Sequence, residues 1–212
     1  KLCAPGVPDT YQGSEVWHQV LVDPDNRRAV DYAALEAKLA ALDERRGDRA
    51  ALLRDLLANF ANGSLKLFVV SELLRLRRDL PELFQSGYAA LDTDPNIIAF
   101  ARGARTHGER PSELVPELLC VVPRFPFRIT RGRTPWPLGA CFGSQRLSGP
   151  NLAGCYRQLF TGAAIVSRGT LELSEIFAEF PLAVLLRIDA ERADEWLDPE
   201  AHAGELRASQ VT

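Results

Sequence analysis

The stretch PGVPDTYQGSE, residues 5–15, is the part of the chain that says most about its fold. Prolines and glycines at this density predict a tight turn directly after residues 2–4, which read as a short strand. The polar side chains of Tyr11, Gln12 and Glu15 follow at once. In a parallel barrel, functional side chains gather at the carboxyl ends of the strands, where such a turn would lie. The alternative is a polar turn with a buried Glu15, and the residues alone leave both interpretations open.

Three successive helices are predicted in the segment that follows, because apolar side chains recur there at helical spacing. Asp31 and Asp48 stand where the N-caps of the first two helices are expected, and Ser64 stands where that of the third is expected. The pair Asn62-Gly63 separates the second helix from the third. The third helix carries the clearest apolar stripe, made of Leu65, Phe68, Val69, Leu73, Leu76 and Leu80.

From Tyr88 onward the sequence changes to short β-prone runs between glycines and prolines. The predicted strands are 88–91, 97–102, 118–122, 127–130, 156–160, 169–173 and 182–188. Short strands at this spacing favour an antiparallel β-sandwich, with 103–117 and 131–151 as surface loops. We therefore predict an α+β chain in three parts: 1–87, a β-sandwich domain at 88–188, and a polar tail at 189–212.

The composition is that of a globular protein, with 46% hydrophobic residues, 25% charged residues and a net charge of -3 over 212 residues. The 25 basic residues are outweighed by 28 acidic ones, which predicts no nucleic-acid partner. No apolar run approaches the ~18 residues that cross a bilayer, and the N-terminus lacks a signal-peptide pattern. We expect a cytoplasmic protein with no membrane partner. Since the sequence has no Met, it reads as a piece of a longer chain.

The cysteines and histidines predict neither a metal site nor a cofactor. They are widely spaced and form no C-x-x-C motif: Cys3, Cys120, Cys141, Cys155, His18, His107 and His202. In a reducing compartment, buried free thiols are the expected state of such cysteines.

Gly6, Pro8, Tyr11, Gly13 and Glu15 together form the pattern G-x-P-x-x-Y-x-G-x-E. This pattern resembles the end of the eighth barrel strand in the α-amylase superfamily of glycoside hydrolases. The longer string PGVPDTYQGSE-x-W, together with LVDPDNRR at 21–28, resembles the maltooligosyltrehalose synthase family in particular. Further matches, which extend the similarity over about residues 2–188, lie at Asn62-Gly63 with Lys66 and at 73–78, 81–84 and 177–185.

The resemblance implies a C-terminal fragment, namely the last strand and helices of a (β/α)8 barrel followed by the β-sandwich domain. The family converts the reducing-end α-1,4 linkage of a maltooligosaccharide into an α,α-1,1 trehalose linkage by retaining intramolecular glycosyl transfer. The implied partners are the maltooligosaccharide and the missing N-terminal part of the same barrel. The family's catalytic carboxylates precede the matched region, so no catalytic residue is assigned, and we expect the chain alone to be inactive. Tyr11, Gly13 and Glu15 are implied to be structural.

Substrate binding is implied for a second set of residues. The spacing of Asp23 and Arg27 is similar to the D-P-x-x-R element that holds a glucose on the non-reducing side of the scissile bond. A carboxylate accepts hydrogen bonds from two sugar hydroxyls, and a guanidinium fork donates to such a pair. The alternative is a salt bridge between the two that pins a loop. Gln12, Asn26 and Trp17 complete the set, with Trp17 either stacked on a sugar or packed as an anchor.

Two other functions stay open. A non-catalytic carbohydrate-binding or interaction module would bind maltooligosaccharide unaided, whereas a piece of a barrel would need its missing strands. Another transferring or hydrolysing member of the superfamily is a third possibility, which the string DPDNRR disfavours. If the chain is the end of a barrel, we expect residues 2–4 to lack both strand neighbours and the apolar stripe of the third helix to be uncovered.

Overall fold

The computed structural model describes residues 1–19, 29–103, 114–149 and 151–188. The chain divides into two compact units, Lys1–Gln85 and Ser86–Thr212. Among the described residues, no helix combines the length and the apolar character that crossing a membrane requires. The predicted tail at 189–212 and most of the predicted loop at 103–117 lie outside this part of the chain.

The first unit is helical. Its helices are α1 (Tyr32–Glu44), α2 (Arg49–Ala58), α3 (Ser64–Asp79) and α4 (Pro81–Gln85), with a 3-10 turn at Phe60–Asn62. The central helix is α3, which contacts the other three. The prediction of three successive helices is thereby confirmed.

Two of the three predicted helix caps are confirmed. The carboxylate of Asp31 accepts a hydrogen bond from the Ala34 N–H at 2.9 Å. Asp48 accepts one from the Ala51 N–H at 3.2 Å. Each satisfies a backbone donor that the first turn of a helix leaves free, which contributes about 1 kcal/mol.

The prediction of Ser64 as the third N-cap is wrong. Ser64 is already the first residue of α3, and Gly63 is its N-cap. The side chain of Asn62 supplies the acceptor, since its Oδ1 takes the Ser64 N–H at 2.8 Å. Gly63 has a φ of +81°, so the chain can turn from the 3-10 turn directly into α3.

The predicted strand at residues 2–4 is also wrong, because residues 3–6 form a bend. A strand needs a neighbouring strand to pair with its backbone groups, and the described part of the first unit contains no strand. The side chain of Arg77 in α3 forms hydrogen bonds with backbone carbonyls of this segment instead. Its Nη1 donates to the Leu2 carbonyl at 2.9 Å and its Nη2 to the Gly6 carbonyl at 3.1 Å.

The apolar stripe of α3 is largely covered within the chain, contrary to expectation. Its buried members are Leu65, Phe68, Leu73 and Leu76, whereas Leu80 is 44% exposed. The expectation was wrong because α1, α2 and α4 of the same chain contact α3.

A buried carboxylate joins three of the helical segments. Glu72 of α3 is 5% exposed and pairs with Arg46, with Arg49 at 3.3 Å and with Arg75 at 3.5 Å. The two carboxylate oxygens of Asp43 in α1 accept hydrogen bonds from Nη1 and Nη2 of Arg75, each at 2.8 Å. This hydrogen bonding raises the pKa of Arg75 above its ordinary value, with the charge of Asp43 adding to the effect. The guanidinium groups therefore cross-link α1, the turn after it and the start of α2 to α3.

The second unit is built on an antiparallel sheet of six strands in the order β1-β2-β3-β8-β5-β6, beside a separate β4-β7 pair. The strands are β1 (Gly87–Ala90), β2 (Ile97–Gly103), β3 (Leu118–Pro123), β4 (Arg146–Ser148), β5 (Gly154–Gln158), β6 (Ala164–Ser167), β7 (Thr170–Glu172) and β8 (Ala183–Ile188). Short helices α5 (Pro126–Thr130) and α6 (Leu173–Ile176) and a 3-10 turn at Gly139–Phe142 complete it.

The core of the second unit lies over one face of the large sheet. Leu119 of β3 and Leu185 of β8 are paired in register and fully buried. They share one cluster with Leu171 of β7 and with Phe142 and Phe177, whose rings stack with their centroids 4.6 Å apart. The β4-β7 pair, α6 and the 3-10 turn therefore supply the second layer.

The α+β class and the antiparallel sheet agree with the prediction, but three details differ. The described residues contain no second sheet of comparable size, as a β-sandwich would require. The predicted strand at 127–130 is wrong, since those residues form most of α5. Pro126 explains this, because proline at the first helical position lacks an N–H and has a helical φ. The strands β4 and β6 were not predicted.

Candidate functional site

The motif at residues 11–17 forms a turn on the first unit. The Ser14 N–H donates to the Tyr11 carbonyl at 3.0 Å. Gly13 has a φ of +79°, and a Cβ there would lie 3.1 Å from a methyl of Val30. The turn thus needs glycine both for its backbone conformation and for the close approach of Val30. Tyr11 is 52% exposed.

Trp17 is anchored at one end and open at the other. Its Nε1 donates to the Phe60 carbonyl at 2.6 Å. The Nζ of Lys66 lies 5.5 Å from the centroid of its ring, within range of a cation–π contact. The side chain nevertheless remains 46% exposed. The predicted alternatives of anchor and stacking platform therefore do not exclude each other.

The junction between the 3-10 turn and α3 fixes the backbone beside Trp17. Lys66 donates from Nζ to the Val16 carbonyl at 3.1 Å. A Cβ on Gly63 would lie 2.9 Å from the Cβ of Val16 and 3.2 Å from the backbone nitrogen of Trp17. Asn62-Gly63 and Lys66 matched the family pattern, but only the fold shows that they hold this segment.

Gln12 is positioned by the first residue of α1. Its Oε1 accepts a hydrogen bond from the hydroxyl of Tyr32 at 3.1 Å. Both side chains are exposed, and the amide nitrogen of Gln12 donates to no acceptor among the described residues. Sequence reasoning did not identify Tyr32 as a partner of Gln12.

Glu15 has one oxygen in an unusual position. Its Oε2 is buried, and no donor among the described residues bonds to it. A buried carboxylate oxygen is costly without a donor, so its partner is to be sought outside the described residues. The structural role that the resemblance implies for Glu15 stays a prediction.

The remaining predicted binding residues, Asp23, Asn26 and Arg27, lie outside the described residues. Trp136, in the second unit, is partly buried, and its carbonyl accepts from the Thr134 hydroxyl at 3.0 Å. Within the described ranges, no cluster of His, Cys, Asp and Glu side chains could hold a metal ion. All four cysteines are free thiols.

Comparison with known proteins gives one consistent result. No protein-family model matches the chain. Proteins of two Mycobacterium tuberculosis strains, described as maltooligosyl trehalose synthases, are 31% identical to it over 194 residues. This similarity covers 89% of the chain but 20% of each relative, so the chain spans about a fifth of the length of these curated relatives.

Comparison of the fold with solved structures gives the same result. A solved maltooligosyltrehalose synthase variant from Arthrobacter ramosus is 30% identical and superposes with a TM-score of 0.63 over 88% of this chain and 21% of its own. A second maltooligosyl trehalose synthase, 24% identical, has the same fold with a TM-score of 0.58. The chain is thus homologous, over nearly nine tenths of its length, to about a fifth of a maltooligosyltrehalose synthase, and the predicted resemblance to that family is confirmed.

Proposed function

We propose that the chain is the C-terminal part of a maltooligosyltrehalose synthase, in which it supplies the end of the catalytic barrel and the domain that follows. The similarity of sequence and fold over nearly nine tenths of the chain carries this proposal. The complete enzyme would move the reducing-end glucose of a maltooligosaccharide from an α-1,4 to an α,α-1,1 linkage.

The reaction would proceed by two displacements with retention. A carboxylate attacks the anomeric carbon while an acid protonates the departing oxygen, and the two carboxyl groups lie about 5–5.5 Å apart. The released glucose turns over, and its own anomeric hydroxyl attacks the glycosyl intermediate in place of water. The bond to the enzyme carboxylate breaks in this step, and the group that first acted as the acid accepts the hydroxyl proton. None of these carboxyl groups is assigned to this chain.

The chain would contribute the wall that holds the glucan on the non-reducing side of the bond. Asp23, Asn26 and Arg27 would bind sugar hydroxyls, and Gln12 and Trp17 would lie at the start of the same segment. Support comes from the way this start is fixed, by the hydrogen bonds of Trp17 to Phe60 and of Tyr32 to Gln12. A binding loop with a fixed base loses less conformational entropy when a sugar is bound.

The exposed part of Trp17 supports a stacking role. Because its Nε1 is bonded to Phe60, the ring is held in one orientation while almost half of the side chain stays accessible. A rigid aromatic with an apolar face suits the apolar face of a pyranose. The same observation favours the second candidate function, a carbohydrate-binding module.

Incubation with maltopentaose separates the two candidates. The 212-residue chain should give no non-reducing product and no saturable binding of maltopentaose, whereas a longer protein that contains the chain should give the product. Turnover by the chain alone would contradict the proposal. Saturable binding without turnover would favour the module.

Arg27→Ala in the longer protein tests the binding wall. Loss of a charge-assisted hydrogen bond of about 1.5–3 kcal/mol should lower kcat/KM by roughly one to two orders of magnitude. Arg54→Ala is the matched control, since Arg54 is an exposed residue of α2 whose Nε donates to the Ala50 carbonyl of the same helix at 3.2 Å. Unchanged kinetics with a lower melting temperature would indicate the alternative, a salt bridge to Asp23.

A further inference from the structure

A cavity of about 700 Å³ lies beside α5 in the second unit, and the proposed function makes no use of it. Small-molecule sites have volumes of about 300–1,000 Å³, so the space would admit a ligand of two or three rings. The lining residues come from α5 and the loop after it, the 3-10 turn and the loop before β2. They are Asn96, Arg128, Ile129, Thr130, Arg131, Arg133, Thr134, Ala140, Cys141, Phe142, Gly143, Ser144 and Gln145.

The wall of the cavity carries an excess of positive charge. Arg128, Arg131 and Arg133 all line it and all are exposed. No Asp or Glu is among the lining residues. Within the part of the chain that the structure describes, these arginines form no ion pair, although other arginines do. The guanidinium groups are therefore available to an anion from solution.

One carboxylate does reach the lining residues. Asp94 accepts hydrogen bonds from the side-chain nitrogens of Gln145 at 3.1 Å and Asn96 at 2.8 Å. These bonds orient the rim of the cavity, and among the described residues Asp94 forms no ion pair with the three arginines. Set against the three lining arginines, this one negative charge still leaves an excess of two positive charges.

Local structure fixes where the arginines stand. The carbon of the Arg128 guanidinium lies 4.7 Å from the centroid of the Phe125 ring, which holds Arg124 at 4.8 Å as well. At the end of α5, the Thr130 hydroxyl accepts the Gly132 N–H at 3.2 Å. Arg131 between them adopts a left-handed conformation with a φ of +54°, which costs energy for a residue with a Cβ. These contacts hold the loop after α5 in one conformation.

The chemistry of the lining distinguishes an anion from a neutral sugar. Guanidinium forks match phosphate oxygens in geometry and charge. A neutral glucan would call for an exposed ring to stack on, but the one ring among the lining residues, Phe142, is 2% exposed. We propose that this cavity binds a phosphate-bearing small molecule of the size of a sugar phosphate or a mononucleotide. The proposal does not depend on the proposed function.

Titration of the ¹⁵N-labelled chain tests this directly. Inorganic phosphate, glucose 6-phosphate and AMP are added in separate arms, with maltose as the neutral control. The organic phosphates should shift the amide signals of residues 128–145 saturably, and the arm that binds more tightly tells a sugar phosphate from a nucleotide. Added salt should weaken binding because the attraction is between charges. Absence of saturation, shifts centred elsewhere, or saturation by maltose would overturn the proposal.

Variants provide the second readout. Replacing both Arg128 and Arg133 by Gln should weaken binding of the organic phosphate at least tenfold. Arg131 is left in place because of its backbone conformation. Arg168→Gln is the control, since Arg168 is exposed on the same unit but does not line the cavity. Equal weakening by the control would contradict a specific site, and the wild-type shift map stands as a test even if the double variant fails to fold.

Discussion

The two units of the chain bury their apolar side chains to different degrees. In the second, Leu119, Val121 and Ala183 on the two central strands have no exposed surface. In the first, Leu42 is the one buried residue of the thirteen in α1. The first unit also exposes several large apolar side chains: Val7, Tyr11, Trp17, Tyr32, Phe60, Leu74 and Leu80.

This difference shows how each unit is held together. The second unit has two layers with a common apolar core, as a domain that folds by itself requires. The first relies to a greater extent on guanidinium contacts, those of Arg77 with the N-terminal carbonyls and those around Glu72. Such a balance is expected of helices that would pack on further protein, which agrees with the proposed role as part of a barrel.

Phe177→Ala should have the largest effect, and it should fall on the second unit. The ring is fully buried and stacks on Phe142, so its loss should lower the free energy of unfolding by about 3–5 kcal/mol. Phe127→Ala is the matched control, because Phe127 is 77% exposed and should change stability by no more than about 0.5 kcal/mol. Urea denaturation checks both, and equal effects would contradict the assignment of the core.

Glu72→Gln should have the next largest effect, on the first unit. It removes the buried charge that Arg46, Arg49 and Arg75 share, and we expect a loss of about 2–3 kcal/mol, since these arginines are partly exposed. Glu36→Gln, at an exposed position of α1, should be close to neutral. Urea unfolding followed by far-UV circular dichroism measures the helices, and a stable Glu72 variant would show that apolar packing alone holds them.

Gly63→Ala should disturb the candidate site itself. The left-handed conformation costs a residue with a Cβ about 1–2 kcal/mol, and the added carbon would press on the Cβ of Val16 from 2.9 Å. Gly47→Ala is the control in the same unit, because a Cβ there meets nothing within 4 Å. Thermal unfolding of the two variants should differ accordingly. Equal melting temperatures would mean that the segment before Trp17 is not held at this junction.

The smallest effect should appear at high pH in the second unit. Burial raises the pKa of the Tyr156 hydroxyl, which donates to the Leu152 carbonyl at 3.1 Å. Its contribution to stability is present below the ordinary pKa of about 10 and is lost as the pH rises toward the folded value. The free energy of unfolding of the wild type, measured by urea denaturation, should thus decrease more steeply above pH 10 than that of Tyr156→Phe. The two curves should be parallel between pH 7 and 9, and parallel curves throughout would contradict this.

Much of the fold was predictable because it depends on neighbours in sequence. Helical spacing and the caps Asp31 and Asp48 are local features, and both were confirmed. The errors arose where another residue decided the outcome. Asn62 replaced Ser64 as the acceptor at the start of α3, and Pro126 turned a β-prone run into a helix.

The site was less predictable because its contacts join distant parts of the chain. The hydrogen bonds of Trp17 to Phe60 and of Lys66 to Val16 span 43 and 50 residues, and no local pattern reports them. The motif did single out Trp17, Gln12 and the Asn62-Gly63 pair. The roles of Asp23, Asn26 and Arg27 stay predictions.

Native-state hydrogen exchange on the 212-residue chain at low concentration tests the contrast between the units most directly. Amides of β2, β3 and β8 should exchange about ten times more slowly than those of α1 and α2, or more slowly still, because opening of the first unit should need less free energy. Equal protection of the two units in a monomer would contradict this account. Residues 1–85 would then be a complete domain and not the end of a barrel.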